Sequence, residues 1–337
     1  MEEIRWGMIG CGDVAERKSG PAFQQVAGSR LVAVMRRDAE KAADFAARHQ
    51  VPKWYSQADA LIRDPDINAV YVATPPASHE AYAIAALAAG KHVYLEKPMA
   101  LDSDGARRIA EKAKESTGKL VIAHYRRALP AFRKVKELLD GGEIGQPLLV
   151  DVRLLQPAKP GLVAASETNW RTDPAISGGG LFHDLAPHQL DLMLLYFGAV
   201  QRATGFSANQ AKVTEADDFV SGLIQFENGV NFRGLWGFNV PPEQALDSCE
   251  IIGTKGKISF SFFGEAEVVL WQDGKREVLR FKNPAYVQQP MIEKVTGYFL
   301  GQNPNPCPAG EAVEGMRLID AFTGKKVYEK QDGAQPG

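Results

Sequence analysis

Residues 10–15 of the chain read Gly-Cys-Gly-Asp-Val-Ala, and this stretch decides the fold of the N-terminal half. It matches the pattern G-x-G-x-x-G/A, it directly follows the apolar run Ile4-Ile9, and it opens a helical segment. Small residues suit such a turn because the backbone must bend tightly and approach a pyrophosphate, whose charge then lies at the helix N-terminus. The stretch predicts a dinucleotide site formed by Gly10, Cys11, Gly12, Asp13 and Val14.

Apolar runs alternate with amphipathic stretches over the first 124 residues. The amphipathic stretches, such as Ala39-His49, Ser78-Ala89 and Ser103-Ser116, have the length of about 10 to 15 residues that is typical of crossover helices. The alternation predicts β-α-β units on a parallel sheet, so residues 1–124 are expected to form a doubly wound Rossmann domain. The predicted strands are Ile4-Ile9, Leu31-Val34, Ala69-Ala73, His92-Leu95 and Leu120-Ala123.

The pattern changes after a predicted helix over Pro130-Gly142. Short strand patterns follow, several of them joined by hairpin signals such as Asn228-Gly229 and Asp273-Gly274. Residues 125–330 are therefore expected to form an α+β domain with a large, mostly antiparallel, open-faced sheet, and residues 331–337 a loose tail. Helices are predicted at about Ala285-Leu300 and Glu311-Lys330, and strands at Leu148-Gln156, Gln201-Ala208, Phe219-Glu227, Val230-Phe238, Glu250-Ile252, Lys257-Phe262, Glu265-Trp271 and Lys275-Phe281.

Length and charge limit the possible partners. At 337 residues the chain is long enough for two domains of roughly 150 residues each. Its formal net charge of -2 supplies no field that would attract nucleic acid or an anionic membrane. The acidic start has no apolar stretch long enough for a signal sequence or a membrane span, so we expect a cytoplasmic protein.

The three cysteines, Cys11, Cys249 and Cys307, lie far apart in the sequence and form no C-x-x-C pair. This spacing argues against a disulfide framework and against a structural zinc site. It also weakens the case for a zinc-dependent dehydrogenase, whose catalytic metal needs three clustered protein ligands. We therefore expect no metal site.

The choice between NAD and NADP is expected to depend on the end of the second strand, about 20 residues beyond the glycine loop. Met35-Arg36-Arg37 occupies that place. A guanidinium can pair bidentately with a 2′-phosphate, whereas a carboxylate would repel it. Arg36 and Arg37 therefore predict a preference for NADP(H), with NAD(H) possible. The alternative is that both arginines are solvated and that Asp38 serves the ribose hydroxyl.

Two further segments complete a family resemblance. Glu96-Lys97-Pro98 follows a predicted strand, and residues 178–191 read GGGLFHDLAPHQLD. Together with the nucleotide loop, these segments resemble the Gfo/Idh/MocA family of sugar and polyol dehydrogenases over essentially the whole chain. The resemblance implies an NAD(P)-dependent oxidoreductase that moves hydride between nicotinamide and a carbinol or carbonyl carbon of a sugar, cyclitol or related polyol. An NAD-dependent glycoside hydrolase and a non-catalytic dinucleotide-sensing regulator of the same fold remain alternatives.

The spacing of the motif residues agrees with this resemblance. Lys97 lies just beyond a predicted strand, where ligands bind in open α/β sheets, and Pro98 favours an extended backbone at Lys97. Asp184 and His188 are four residues apart, so they share one helix face, which Asp191 extends. Pro187 is compatible with a helix in its first turn, which predicts that Asp184 is the N-cap.

The resemblance also implies individual roles. Lys97 and His188 are expected to form the proton-transfer pair, and Asp184 to bind a substrate hydroxyl or orient the pair. The family makes the Lys97-Pro98 bond cis. Cofactor contacts are expected from Thr74, Pro75, His79, Glu96 and Lys97, and substrate contacts from Tyr125, Arg126, Trp170, Arg171, His183 and Asp184.

The second face of the predicted C-terminal sheet has no helical pattern to cover it between Gln201 and Phe281. A large sheet with a mixed open face needs a cover. We therefore expect a homodimer or homotetramer built on that face, as the family resemblance also implies.

Overall fold

A computed structural model describes residues 2–12, 15–162 and 170–330 of the chain. The predicted cofactor residues Asp13 and Val14 and the predicted tail, residues 331–337, lie outside these described residues.

The first sheet has six parallel strands in the order β3-β2-β1-β4-β5-β6. The chain winds outward in both directions from β1 and β4, so the carboxyl ends of these two strands border a crevice where ligands bind in such sheets. The doubly wound prediction is confirmed. The strands are β1 (Ile4–Ile9), β2 (Ser29–Met35), β3 (Lys53–Tyr55), β4 (Ala69–Val72), β5 (His92–Leu95) and β6 (Leu120–Ile122).

The central strands are apolar on both faces because helices cover both sides of a parallel sheet. Trp6 packs against Phe23 at 4.9 Å between ring centroids, and Tyr71 stacks on Tyr94 at 5.3 Å. A π-helical turn, Ala15–Ser19, precedes the first α-helix. The helices of this half are α1 (Gly20–Gln25), α2 (Ala39–Arg48), α3 (Ala58–Arg63), α4 (His79–Ala88) and α5 (Ser103–Glu115).

The second sheet has eight strands in the order β14-β13-β12-β11-β7-β10-β9-β8. Only the pair formed by β7 and β10 is parallel, so the prediction of a large, mostly antiparallel sheet is confirmed. The strands are β7 (Pro147–Leu155), β8 (Val200–Ala208), β9 (Phe219–Phe226), β10 (Asn231–Gly237), β11 (Leu246–Gly253), β12 (Gly256–Phe260), β13 (Glu267–Gln272) and β14 (Lys275–Arg280).

Helices cover one face of this sheet and return to the first sheet. Trp236 on β10 is buried and donates its indole N–H to the Gln189 side chain at 2.6 Å. Near the C-terminus, the Phe299 ring packs 5.6 Å from Trp6 of β1, which joins the two halves. The remaining helices are α6 (Pro130–Asp140), α7 (Pro174–Ser177), α8 (Leu181–Phe197), α9 (Gln289–Phe299) and α10 (Ala309–Phe322).

Two helix ends differ by several residues from the sequence prediction. Helix α9 begins at Gln289, with Pro290 in its first turn, rather than at about residue 285. Helix α10 ends at Phe322 rather than at residue 330 because Thr323 caps it and Gly324 adopts a φ of 68°.

The prediction that Asp184 is an N-cap is wrong. Helix α8 starts directly after three glycines with positive φ, Gly178 to Gly180, and Gly180 is its N-cap. Asp184 therefore lies inside the first turn, and Pro187 lies within the helix. The Asp184 carbonyl accepts a hydrogen bond from the Lys97 side chain at 2.9 Å.

Within the described ranges, no helix is both long and apolar enough to cross a membrane.

Candidate active site

The glycine loop lies at the carboxyl end of β1. The Gly10 and Cys11 amides donate to the Met35 carbonyl at 2.9 and 3.4 Å, which ties the loop to the end of β2. Gly10 has a φ of 97°, and a Cβ there would lie 2.9 Å from the Ala73 carbonyl carbon. A Cβ on Gly12, in contrast, would meet no atom of the described, non-adjacent residues within 4 Å. Bare backbone therefore faces open space beside Gly12, which fits the approach of a pyrophosphate.

The residues after β2 lie beside this loop. The Arg36 amide donates to the Tyr55 carbonyl at 3.2 Å, and the Arg37 side chain is exposed. The Asp38 carboxylate accepts from the Lys41 amide at 3.1 Å and caps helix α2. The Cys11 side chain is buried, and burial raises its thiol pKa to about 11 although the Arg36 charge opposes the change.

His79 joins the segment after β4 to the turn after β5. Its ring is fully buried, with Nε2 at 2.7 Å from the Thr74 carbonyl and Nδ1 at 2.8 Å from the Pro98 carbonyl. Burial lowers the pKa of His79, although both carbonyls oppose this. The Lys97–Pro98 bond is cis, as the resemblance implied. Thr74, Pro75 and His79 thus lie at the crevice edge of the sheet, next to Lys97.

Glu96 supports the same turn. Its Oε1 atom accepts from the Tyr71 hydroxyl and from the Gln288 amide, both at 2.7 Å, and its Oε2 atom accepts from the Lys97 amide at 3.2 Å. The Glu96 side chain is buried, and these partners hold its carboxylate. The structure therefore places Glu96 beneath Lys97, where it fixes the backbone of the turn. Its predicted contact with a cofactor stays a prediction.

Lys97, Asp184 and Arg171 meet where the two halves face each other. The Lys97 ammonium donates to Asp184 Oδ1 at 2.6 Å and to the Asp184 carbonyl at 2.9 Å. Arg171 Nε donates to Asp184 Oδ2 at 3.0 Å. The three side chains are 10 to 13% exposed, so the group is sheltered but still accessible from the cleft. One carboxylate thus orients two cations.

His188 lies one turn beyond Asp184 on α8, and aromatic rings flank it. Its ring meets the Tyr125 ring edge-on at 5.3 Å and the Phe263 ring at 5.9 Å between centroids. The side chain is 5% exposed. Arg126 lies on the other contact of the Phe263 ring, with its guanidinium carbon 4.4 Å from the ring centroid. Trp170 packs against the neighbouring cation Arg171, whose guanidinium carbon lies 4.3 Å from the Trp170 ring centroid. Packing therefore fixes the orientation of the His188 ring.

Two residues of the helical motif lie outside this group. His183 is buried against the glycine turn, with Nε2 3.3 Å from the Lys325 ammonium, which also donates to the Gly178 carbonyl at 2.6 Å. Burial, assisted by the Lys325 charge, lowers the pKa of His183 to about 3. Asp191 pairs bidentately with buried Arg127. The structure does not bring His183 or Asp191 into contact with Lys97.

The structure also adds residues that the sequence did not indicate. Phe263 comes from the turn after β12, where the Asp247 carboxylate accepts backbone N–H groups from Phe262, Phe263 and Gly264 at 3.1, 2.6 and 3.2 Å. Gln288, the N-cap of α9, and Arg127, in the short 3-10 helix Tyr125–Ala128, also support the site. The positions of these residues depend on tertiary contacts, and no local sequence motif marks them. Across the described ranges, no group of three or more His, Cys, Asp or Glu side chains could hold a metal ion.

Comparison with known proteins gives a consistent result. The N-terminal part, residues 4–124, matches the model of the GFO_IDH_MocA oxidoreductase family with an NAD-binding Rossmann fold, and residues 132–259 match a GFO/IDH/MocA C-terminal domain. The chain is 49% identical over 321 residues to Oxidoreductase P35 of Formosa agariphila, covering 95% of this chain and 98% of that one.

A more distant relative and a solved structure agree. The chain is 31% identical over 257 residues to 1,5-anhydro-D-fructose reductase of Ensifer adhaerens, covering 75% of this chain and 74% of that one. The crystal structure of an oxidoreductase from Thermotoga maritima superposes with a TM-score of 0.84 at 26% identity, covering 95% of each chain.

Proposed function

Because the chain belongs to the Gfo/Idh/MocA oxidoreductase family, we propose that it is a cytoplasmic, NADP-preferring dehydrogenase or reductase. Its substrate is a sugar, cyclitol or related polyol, which reacts at a carbinol or carbonyl carbon. The observation that carries this proposal is the contact of the Lys97 ammonium with the Asp184 carboxylate, made across the cleft from the carboxyl end of β5 to the first turn of α8. A substrate hydroxyl bound in that cleft would meet both a cation and a carboxylate.

The residues supply proton transfer and positioning. A bound nicotinamide cofactor supplies the hydride acceptor or donor. Oxidation of an alcohol must also shed the hydroxyl proton, and reduction must return it, so an acid/base group is needed at the oxygen. Lys97 is held in place for that role by two hydrogen bonds to Asp184. His188, one helical turn further along the same face, completes the proton-transfer pair.

Several contacts support a cofactor at the glycine loop. Gly10 and Gly12 would present their backbone to the pyrophosphate, with Thr74 and Pro75 along the same edge of the sheet. Arg36 and Arg37 follow β2 at the place where a 2′-phosphate would lie. The Asp38 carboxylate already caps α2. This structural role favours binding of a 2′-phosphate by the arginines over binding of an NAD ribose hydroxyl by Asp38.

A substrate panel with both cofactors tests this proposal. Aldoses, polyols and cyclitols are incubated with NADP and NAD, or with their reduced forms for the keto compounds, and the absorbance of reduced nicotinamide is followed. We expect turnover and a higher kcat/KM with NADP. Arg36→Asp should lower the NADP to NAD ratio by about 10-fold or more, because one charge-assisted contact contributes about 1.5 to 3 kcal/mol. Arg107→Asp makes the same charge change on the surface of α5 and should leave the ratio unchanged.

Two results would contradict the proposal. A wild-type preference for NAD would overturn the role of Arg36 and Arg37, and no turnover of any compound would overturn the function itself. Retained cofactor without net reduction would instead favour the glycoside hydrolase alternative.

We also propose a homodimer or homotetramer built on the open face of the second sheet. That face exposes apolar side chains, with Phe206 59%, Leu223 53% and Leu149 38% exposed. Patches of this kind mark interfaces between proteins. Light scattering at micromolar concentration should give a multiple of the 36.8 kDa chain mass, and Leu223→Asp should reduce it. A monomer mass for the wild type would contradict the proposal.

A further inference from the structure

Two consecutive arginines follow β6, and their surroundings differ. Arg127 is buried and pairs with Asp191 at 2.6 Å and with Glu311 at 2.6 Å. Arg126 has no such partner, since within the described residues no carboxylate oxygen lies within 4.0 Å of its guanidinium nitrogens. The described part of the chain therefore neutralises one of these cations and leaves its neighbour without an anion.

The surroundings of Arg126 are mainly aromatic. Its guanidinium carbon lies 4.4 Å from the ring centroid of Phe263, 5.4 Å from that of Tyr125 and 5.7 Å from that of Phe132. Nη1 donates to the Phe262 carbonyl at 2.5 Å, whereas Nε is buried without a partner in the described part of the chain. A cation in such surroundings pays a desolvation cost that a bound anion would offset.

Asp247, an acid whose charge acts on Arg126, is already engaged. Asp247 accepts three backbone N–H groups from the turn at residues 262–264. Burial raises the pKa of Asp247 even though those bonds and the Arg126 charge oppose the change. Asp247 thus fixes the turn that carries Phe263, and it does not form an ion pair with Arg126.

Arg126 lies beside the proposed reaction centre. The rings of Tyr125 and Phe263, which flank its guanidinium, are the same rings that flank His188. A substrate that reacts at Lys97 and His188 would therefore place a more distant substituent against Arg126. Charge favours an anionic substituent here, because the Arg126 guanidinium has no carboxylate partner within the described residues.

We infer that Arg126 binds a carboxylate of the substrate, so that the substrate class is an acidic sugar, either a uronate or an aldonate. This inference rests on the proposed oxidoreductase function and names the substrate class for the same site. A planar carboxylate matches the guanidinium fork, and a single available guanidinium suits one negative charge. A sugar phosphate, with nearly two charges and three acceptor oxygens, would require more donors.

The test uses substrate pairs that differ only in the acid group. D-Glucuronate is compared with D-glucose, D-galacturonate with D-galactose, and D-gluconate with sorbitol; D-glucose 6-phosphate is the phosphate control. In each productive pair, kcat/KM should be at least 10-fold higher for the carboxylate. The KM of the acid should rise with NaCl concentration more than that of its neutral partner, because salt screens charge.

Variants separate recognition from packing. Arg126→Met should lower the acid to neutral ratio of kcat/KM by about 10- to 100-fold, the range expected for a charge-assisted hydrogen bond. Arg126→Lys, which keeps the charge and loses the fork, should give an intermediate ratio. Because a ratio is measured, general damage to the site cancels. Arg133→Met on the exposed side of α6 is the matched control and should leave the ratio unchanged.

Each other outcome is decisive. Equal use of the acid and neutral partners by the wild type would overturn the carboxylate assignment and leave the proposed function standing. An equal loss on both partners in Arg126→Met would show that Arg126 packs the site or contacts the cofactor. Preference for the phosphate would also overturn the assignment. If no sugar, acidic or neutral, is turned over, the proposed function fails and this inference fails with it.

Discussion

Two clusters of charged side chains hold helix α8, and both consist of arginine or lysine with a carboxylate. At the first turn, Asp184 binds Lys97 and Arg171, and all three side chains are 10 to 13% exposed. About two turns later, Asp191 binds Arg127, and these side chains are 3 and 6% exposed. The chemistry of the residues is the same, so solvent accessibility is what distinguishes the clusters. We call the group of Lys97, Arg171 and Asp184 the accessible cluster, and the pair of Arg127 and Asp191 the sealed cluster.

The difference shows how one helix can serve both reaction and scaffold. In the sealed cluster, burial lowers the pKa of Arg127, but the charge and hydrogen bonds of Asp191, together with Cys307 and Glu311, outweigh burial and keep that pKa well above its usual value. Such a pair has no access to substrate and fixes the helix against the segment after β6. In the accessible cluster, the residual exposure leaves the Lys97 ammonium within reach of a ligand. The Asp184 carboxylate, which Arg171 also contacts, fixes the orientation of the Lys97 side chain.

The largest expected effect comes from breaking the accessible cluster. Lys97→Met should lower kcat by about 100- to 10,000-fold, the usual contribution of a positioned acid/base group, while cofactor binding followed by fluorescence changes little in comparison. Because Arg171 still neutralises Asp184, the variant should remain folded. Lys114→Met, exposed on α5, is the matched control.

His188→Ala should lose activity on the same scale. If the two residues act as one unit, the double variant should lose much less than the product of the single losses. A near-normal kcat in either single variant would remove that residue from the mechanism.

The next effect comes from breaking the sealed cluster. Asp191→Asn should lower the free energy of unfolding by about 3 kcal/mol, because it leaves the Arg127 charge buried without its main partner. Glu311 is 45% exposed and also contacts Arg127, so it keeps the loss near the lower end of the range. Urea denaturation measures the change.

Glu311→Gln is the matched control and should cost less than about 1 kcal/mol, as is usual for a pair with an exposed member. If Asp191→Asn were as stable as the wild type while losing kcat as strongly as Lys97→Met, the distinction between the clusters would be wrong.

The sequence predicted the elements whose burial pattern is local. Strands such as Ile4–Ile9 and His92–Leu95 are mostly apolar and almost entirely buried because both faces of a parallel sheet are covered. The sequence did not predict the strand Lys53–Tyr55, because a three-residue, half-buried edge strand leaves no apolar run. The start of α8 was misplaced because Pro187 suggested a first turn, whereas three glycines set the start.

For the site, the sequence predicted Lys97, Asp184 and His188 and neighbours such as Tyr125 and Arg171, but not Phe263 or Asp247. Motifs encode residues at fixed spacing within one segment, and the structure does bring Lys97 and Asp184 together. The ring of Phe263, in contrast, reaches His188 only through the turn that Asp247 holds. Such contacts depend on how separate segments pack, and one sequence carries no local signal for them. The roles of the three residues remain predictions.

The smallest expected effect concerns pH and again separates the clusters. His124 lies beside the sealed cluster, with Nδ1 3.7 Å from Asp191 Oδ1. Burial lowers its pKa to about 4; the Asp191 charge opposes this, and the Arg127 and Lys97 charges assist it. Because the unfolded chain binds this proton near pH 6.5 and the folded chain does not, stability is lost as pH falls from about 6.5 towards 4. From pH 7 to pH 5 the loss from His124 should be about 2 kcal/mol. Urea denaturation at both pH values, with the wild type and His124→Leu, measures it: the drop should shrink by about that amount in the variant. An equal loss of unfolding free energy in the wild type and the variant would show that burial does not keep His124 neutral. The evidence for a sealed cluster would then come only from the Asp191→Asn variant.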